Sequence, residues 1–204
     1  MNADAELLAA ITRAVSEPAD DRHDLHARLA AAARAEGILD VAYRTLDTPV
    51  GILLLAATER GLVRIAFGCE DHDAVLQELS DRISPRVLHD PQRLDAVARE
   101  LEEYFAGERR AFDLAIDWQL ATGFRAAVLR QLPEIPYGDT ASYATVAQRA
   151  GNPKAVRAVG SACATNPLPL VVPCHRVVRS DGAMGGYLGG IDAKRALLAL
   201  EAAA

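Results

Sequence analysis

One short run of the chain combines residue types that could carry out nucleophilic chemistry: cysteine, histidine and arginine follow one another at positions 174–176. A thiolate is the nucleophile and a thiol is not, and the pKa of a free cysteine is about 8.5, so a reactive Cys174 needs a base or a cation nearby. His175 and Arg176 supply both. Neighbouring side chains on a strand point to opposite faces, so we expect a bend at Pro173, or a bridging water, to bring His175 to Cys174. The alternative is an inert, buried cysteine beside an ordinary histidine.

Upstream of this run, the sequence has the pattern of a helix-turn-helix. Ser142 is a predicted N-cap for a helix over residues 143–150, and Gly151 ends that helix. Asn152, with Pro153 at the first helical position, starts the next helix. Two short helices joined by a glycine-containing turn are typical of this motif.

The second of these helices is unusual in its small side chains and its two cations. Small residues let a backbone approach a partner closely, but they equally allow tight packing against the protein's own core, and the pattern leaves both interpretations open. The residues concerned are Lys154, Ala155, Arg157, Ala158, Ser161 and Ala162.

The first half of the chain predicts the elements that must support these regions. Alanine- and leucine-rich residues 5–37 predict two short helices, the second capped by Asp20. Short β-rich runs separated by turn residues then predict an antiparallel meander. The runs are residues 41–43, 50–57 and 62–67.

Helices and one further strand follow the meander. Asp71 or Asp73 opens a helix through Ile83, and Asp90 before Pro91 caps a helix that runs to Phe105. A strand is predicted over 112–116, and Thr122 caps a helix through Leu132, which prolines 133 and 136 end. We predict an α+β fold with a helical extension (1–38), an α+β domain (39–118) and a helix-turn-helix domain (119–204).

Charge is divided unevenly between the halves of the chain. Residues 1–119 contain 13 arginines and no lysine against 23 acidic residues, whereas residues 120–204 contain seven arginines and two lysines against five acidic residues. The whole chain has a net charge of −6, which argues against nonspecific affinity for nucleic acid. A surface that faces phosphate should therefore lie in the last 85 residues, where cations can release counterions.

The residues around Cys174 resemble the active-site signature of the O6-alkylguanine-DNA alkyltransferases, also called methylated-DNA-protein-cysteine methyltransferases. The resemblance covers about residues 120–202 and includes several spaced motifs in the same order. They are Tyr143, the run 151–160, Asn166-Pro167, the run 172–178, Gly186-Tyr187, Gly189-Gly190, Lys194 and Glu201.

This resemblance implies a ribonuclease-H-like first domain, a winged helix-turn-helix second domain and roles for individual residues. Cys174 is expected to accept the alkyl group, His175 to act as base through a water, and Glu201 to orient His175. Asn166 is expected to brace the active-site turn, and Tyr143 and Lys194 to assist departure of the guanine. We also expect substrate contacts from Pro173, Val177, Tyr187 and Leu188.

The resemblance also implies how DNA is bound. Family members use the minor groove, which would give the small face of Ala155, Ala158, Ser161 and Ala162 a purpose beside Lys154. Arg157 resembles the finger that enters the duplex where a damaged nucleotide has been flipped out. Two residues depart from the family pattern: Cys163 lies on the second helix of the motif, and Leu188 stands where several members have a small hydroxyl residue.

The predicted function is direct reversal of O6-alkylguanine damage in double-stranded DNA, with O4-alkylthymine as a second candidate substrate. The alkyl group forms a thioether, which lacks the electrophilic carbonyl of a thioester, so each molecule should act once. Two alternatives remain: a module that binds alkylated DNA without repairing it, and a helix-turn-helix transcription regulator. We expect no cofactor and no metal, because the Cys69–His72 and His23–His26 spacings lack a second cysteine pair. We expect a cytoplasmic monomer without membrane association, since no signal peptide or long apolar run is present.

Overall fold

A computed structural model describes residues 19–203 of the chain. Its first element is helix α1 (Ala19–Ala35), which corresponds to the second of the two predicted N-terminal helices; the first lies outside the described residues. Ala30 and Ala33 of α1 are buried, and Ala33 packs with Leu39 and Ala42. No helix within residues 19–203 is long and apolar enough to cross a membrane.

A four-stranded sheet forms the centre of the first domain. Strands β1 (Val41–Thr48), β2 (Gly51–Thr58) and β3 (Gly61–Phe67) are antiparallel neighbours, as the turn residues between them predict. Strand β4 (Val87–His89) adds to β1 in parallel, which gives the order β3-β2-β1-β4. Strand β4 was not predicted from the sequence, because three residues are too few to show a periodic pattern.

Two helices accompany this sheet. Helix α2 (His72–Arg82) begins where predicted, and the side chain of its N-cap Asp71 accepts from the backbone N–H groups of residues 73 and 74. The helix predicted from Asp90 to Phe105 is instead a 3₁₀ turn (Pro91–Leu94) followed by α3 (Asp95–Phe105). Asp90 makes no cap hydrogen bond to this turn, because its buried carboxylate faces Arg34 of α1 at 3.4 Å.

The prediction of a strand over residues 112–116 is wrong. Only one isolated bridge forms, between Ile116 and Leu62. This segment crosses the start of β3, where the N–H of Leu62 donates to the carbonyl of Ala115 at 2.9 Å. Gly61 permits the crossing, because a Cβ there would lie 2.2 Å from that carbonyl oxygen.

The second domain consists of helices and one small sheet. Helix α4 (Gly123–Leu129) is shorter than predicted, and Thr122 makes no side-chain cap bond to it. The two-stranded sheet pairs β5 (Ala141–Ser142) with β6 (Val177–Val178) in parallel. Helix α7 (Gly190–Ala202) closes the chain.

Helices α5 (Tyr143–Arg149) and α6 (Val156–Ala164) form the helix-turn-helix. Ser142 caps α5, as predicted, by accepting from the N–H of Thr145 at 3.0 Å. Pro153 is not the first residue of α6, contrary to the prediction. The Asn152 side chain accepts from the N–H of Lys154 at 3.3 Å, and this local turn delays the helix to Val156.

One continuous apolar cluster joins the two domains. Leu55 and Leu101 from the first domain belong to the same buried cluster as Val172 and Leu197 from the second. Cys174 lies within this cluster. The run 174–176 is therefore held at the junction of the domains.

Candidate active site and DNA-binding face

The run predicted to carry chemistry forms a 3₁₀ turn (Cys174–Arg176) directly after Pro173, so the chain bends there. Cys174 is 2% exposed. The side-chain amide of Asn166 donates to the Cys174 sulfur at 3.2 Å and to the carbonyl of Val172 at 2.8 Å. Its oxygen accepts from the N–H of Leu168 at 3.0 Å. Asn166 thus connects the backbone before the bend to the thiol that follows it.

The environment of Cys174 favours the neutral thiol. Burial raises its pKa to about 11, although the Asn166 hydrogen bond and the charge of Lys194 act in the opposite direction. The resting protein therefore holds this residue protonated at neutral pH. Reaction of the sulfur requires a base that takes its proton.

His175 has the properties of such a base. Its Nε2 lies 2.8 Å from Oε1 of Glu201, which requires the proton on Nε2 because the carboxylate only accepts. Nδ1, the nitrogen with the free lone pair, is buried and has no hydrogen-bond partner among the described residues. Burial lowers the pKa of His175, although Glu201 raises it. His175 is accordingly neutral at pH 7.

Glu201 on α7 accepts hydrogen bonds from more than His175. Arg176 donates to both carboxylate oxygens at 2.9 Å, and the N–H of Gly138 lies 3.3 Å from Oε2. The hydroxyl of Tyr104, on α3 of the first domain, donates to Oε1 at 2.7 Å. Burial raises the pKa of Glu201, but these donors outweigh burial and lower it to about 2. The carboxylate is therefore ionised throughout the physiological range.

Sequence reasoning missed the parts that Tyr104 and Arg176 play in this network. Arg176 follows His175 directly in the sequence, so its charge was noted, but its pairing with Glu201 was not predicted. Tyr104 lies 97 residues before Glu201, and no local pattern links the two positions.

Lys194 on α7 is fully buried behind the same turn. Its ammonium donates to the carbonyl of Val177 at 2.6 Å. Burial lowers its pKa, whereas the nearby thiols of Cys174 and Cys163 raise it. Cys163 is itself buried on α6, and burial raises its pKa to about 12.

A cavity of about 710 Å³ opens between α6 and the loop before α7. Tyr143 and Arg157 line it, together with Tyr187 and Leu188. Arg179, which the sequence analysis did not select, lines it too. Pro173 and Val177 do not: Pro173 borders a separate cavity of about 260 Å³, and the Val177 side chain is buried.

Glycine lets the loop approach both domains closely. A Cβ at Gly185 would lie 2.3 Å from the Tyr143 hydroxyl. A Cβ at Gly189 would lie 2.7 Å from the ring of Phe67, the last residue of β3. Phe67 also packs edge-on against Tyr187 at 5.5 Å between ring centroids.

The outer face of the helix-turn-helix presents most of the residues selected for DNA contact. Lys154, Arg157, Ala158 and Ser161 are exposed, and Ala155 is partly exposed. Ala162 is 2% exposed and faces the core, so for this residue the packing interpretation applies.

Comparison with known families divides the chain into two matched regions. Residues 41–118 match the ribonuclease-like domain of 6-O-methylguanine DNA methyltransferase, and residues 123–203 match its DNA-binding domain. These matches confirm the predicted fold class, a ribonuclease-like domain followed by a DNA-binding one.

Curated proteins with similar sequences carry consistent names. The methylated-DNA–protein-cysteine methyltransferase of Mycobacterium tuberculosis is 41% identical over 162 residues, which cover 78% of this chain and 91% of that protein. The constitutive enzyme of that name in Bacillus subtilis is 39% identical over 163 residues, covering 78% and 94%. Among solved structures, M. tuberculosis OGT in complex with DNA has a TM-score of 0.69 at 38% identity, covering 79% of this chain and 93% of that chain.

Proposed function

The chain belongs to the 6-O-methylguanine DNA methyltransferase family, and from this membership we propose which of its residues carry out the reaction. It is a DNA-repair methyltransferase that binds DNA and transfers an alkyl group to cysteine.

Cys174 is the acceptor in this proposal. The supporting observation is that Cys174 lies next to a neutral, buried His175 whose Nε2 is fixed by Glu201 and whose Nδ1 is unbonded among the described residues. Cys163 is buried on α6 and has no histidine next to it in the chain. Cys69 is exposed, and its sulfur lies 3.5 Å from the carbonyl of Leu188.

The chemistry follows from these positions. The Cys174 proton passes to Nδ1 of His175, through a water where the gap requires one, and Glu201 stabilises the resulting imidazolium. The sulfur attacks the alkyl carbon of O6-alkylguanine and forms the S–C bond while the C–O6 bond breaks. The bonding electron pair leaves with the guanine, which takes up a proton. The thioether product has no route back to the thiol, so each protein molecule reacts once.

Tyr143 and Lys194 assist the departing base in this scheme. The Tyr143 side chain lines the cavity and supplies a hydroxyl proton, because burial raises its pKa and keeps it neutral. Lys194 supplies positive charge beside Cys174, where the thiolate forms. Asn166 donates to the same sulfur and holds it in position during the attack.

DNA is engaged through the minor groove by the exposed side of α6. Its small residues allow close approach, Lys154 faces phosphate, and Arg157 fills the space left by the flipped nucleotide. Extrusion of the base costs a few kcal/mol and is needed because the alkyl carbon is otherwise inside the stack. The base enters the 710 Å³ cavity, between Tyr143 and Tyr187, where the N–H of Leu188 can bond the substrate oxygen. O4-alkylthymine is the second candidate substrate, and the active species is a cytoplasmic monomer.

The test combines the protein with a duplex that contains one O6-methylguanine, followed by intact-mass measurement and peptide mapping. We expect one methyl group per protein, located on Cys174. Cys174→Ser should abolish transfer and retain DNA binding, whereas Cys69→Ser and Cys163→Ser serve as matched controls that keep transfer. Tight, lesion-selective binding without transfer would instead favour the damage-recognition module, and sequence-specific binding to undamaged DNA would favour the regulator.

A further inference from the structure

Tyr104 connects the first domain to the carboxylate of the active site. It lies on α3, is completely buried, and its hydroxyl donates to Oε1 of Glu201 at 2.7 Å. The same oxygen faces Nε2 of His175 at 2.8 Å and accepts from Nη2 of Arg176 at 2.9 Å. Three donors thus compete for the electron density of one oxygen.

The Tyr104 ring has a separate packing role that its hydroxyl does not share. Its ring centroid lies 5.4 Å from that of Phe105, 5.3 Å from that of Phe112 and 6.0 Å from that of Tyr137. Phenylalanine would preserve these apolar contacts. The hydroxyl is therefore explained by its bond to Glu201 and not by packing.

The hydroxyl affects the histidine through the carboxylate. A donor on Oε1 withdraws electron density from it and weakens the bond that the same oxygen accepts from His175. Loss of that donor makes Glu201 a stronger acceptor, which stabilises the protonated form of His175. The charged and titratable groups around this pair come from several elements and stay in place when the hydroxyl is removed. They are Arg176 and Cys174 on the turn, Lys194 on α7, Tyr187 on the loop and Tyr137 before β5.

We infer that Tyr104 is a positioning residue for alkyl transfer: from the first domain, its hydroxyl fixes the orientation and the acceptor strength of Glu201, and thereby the basicity of His175. This inference rests on the proposed roles of Cys174, His175 and Glu201. The first domain thereby contributes to the chemistry, through the hydrogen bond from Tyr104 to Glu201 across the domain junction.

The experiment compares the full-length protein with Tyr104→Phe over pH 5.5–9. The rate of methyl transfer from an O6-methylguanine duplex is measured at saturating protein, and the affinity for the same duplex is measured separately with Cys174→Ser and with Tyr104→Phe/Cys174→Ser. Tyr137→Phe is the matched control, since it removes a hydroxyl from the same aromatic cluster that has no hydrogen-bond partner among the described residues. Site-specific 3-fluorotyrosine at position 104 is the second variant, because it keeps both ring and hydroxyl and makes the hydroxyl a stronger donor.

A positioning role predicts shifts of the pH profile in opposite directions. In Tyr104→Phe the acid limb moves to higher pH by about half to one unit, which lowers the rate on that limb by roughly three- to tenfold and leaves the rate at pH 9 nearly unchanged. The fluorinated protein moves the same limb to lower pH, and Tyr137→Phe leaves it in place. A rate lowered by one factor at every pH, or an unshifted profile for both position-104 variants, would overturn the inference.

Titration of His175 by NMR separates this inference from the proposed function. The signal is assigned with His175→Gln, and its midpoint should rise in Tyr104→Phe and fall in the fluorinated protein whether or not methyl transfer is measured. If the unsubstituted protein does not methylate Cys174, the proposed function fails, while the midpoints still report the link from Tyr104 to His175. If transfer occurs and the midpoints coincide, the inference alone fails.

Discussion

Replacing Glu201 with glutamine should destabilise the protein far more than its loss of one charge suggests. The side chains of Glu201 and Arg176 are 1% and 7% exposed, and the guanidinium donates to both carboxylate oxygens. Glutamine matches the shape but presents an NH₂ group to one of these donors. Arg176 then remains buried without a counter-charge, and breaking a buried pair from one side costs about 3–5 kcal/mol.

This cost is a large part of a typical stability of about 5–15 kcal/mol. For a chain of this length it corresponds to a melting temperature lower by roughly 6–20 °C. Arg176→Met in the Glu201→Gln background removes the stranded charge and should recover much of the loss. The exposed pair Glu78–Arg82, one helical turn apart on α2, is the matched control, and Glu78→Gln should cost about 0–1 kcal/mol.

The assay is a double-mutant cycle by urea unfolding, with thermal melting as a second probe. We expect a coupling energy between positions 176 and 201 of at least about 2 kcal/mol, with the double variant more stable than Glu201→Gln alone. If Glu201→Gln cost no more than Glu78→Gln, or if the two single costs simply added, the buried pair would not stabilise the fold in the way its geometry indicates.

Three further outcomes follow from the site. Since the pKa of Cys174 is raised to about 11, only about one thiol in 10,000 is ionised at pH 7. In Cys69→Ser/Cys163→Ser protein, the rate at which iodoacetamide alkylates Cys174 should therefore rise about tenfold per pH unit. A plateau in this rate below pH 9 would contradict the conclusion that burial raises the pKa of Cys174. Arg157→Ala should weaken lesion-duplex binding by about 1–3 kcal/mol while transfer from the free O6-methylguanine base stays the same; equal losses with both substrates would show that Arg157 acts elsewhere. Gly185→Ala should cost about 1–3 kcal/mol of stability and slow transfer. Tyr143→Phe in that background should recover part of the stability, as unfolding curves would reveal, because the hydroxyl nearest to the new Cβ is then gone while ring carbons at 3.2 and 3.3 Å remain.

Local patterns were sufficient to predict the elements that depend on neighbouring residues. The Ser142 cap, the meander of β1 to β3 and the Asp71 cap each rest on side chains within a few positions of the backbone groups they serve. The helix starts predicted at Asp90 and Pro153 were wrong for a common reason. Each residue is of a type that can start a helix, but in each case a competing contact determines the local structure. For Asp90 that contact is Arg34 on another helix.

The candidate site shows the same contrast between features that depend on neighbouring residues and features that depend on contacts between distant elements. The proposed acceptor and base, Cys174 and His175, could be selected from the sequence because they are adjacent and resemble a known signature. Tyr104 was invisible to this approach, since its contribution requires the fold to bring α3 against α7. Ala162 was misjudged because helical spacing alone does not reveal which side of α6 faces the core.

The two glycine contacts at residues 185 and 189 have a consequence for how the pocket can evolve. A side chain at residue 185 would have to displace the Tyr143 hydroxyl and one at residue 189 the Phe67 ring, so both ends of the segment 185–189 lie close against the two domains. Variation is left to the three residues between them, which include Leu188. Exchange of these three residues would change the lining of the 710 Å³ cavity, to which all three contribute, while the close contacts of the two glycines stay the same.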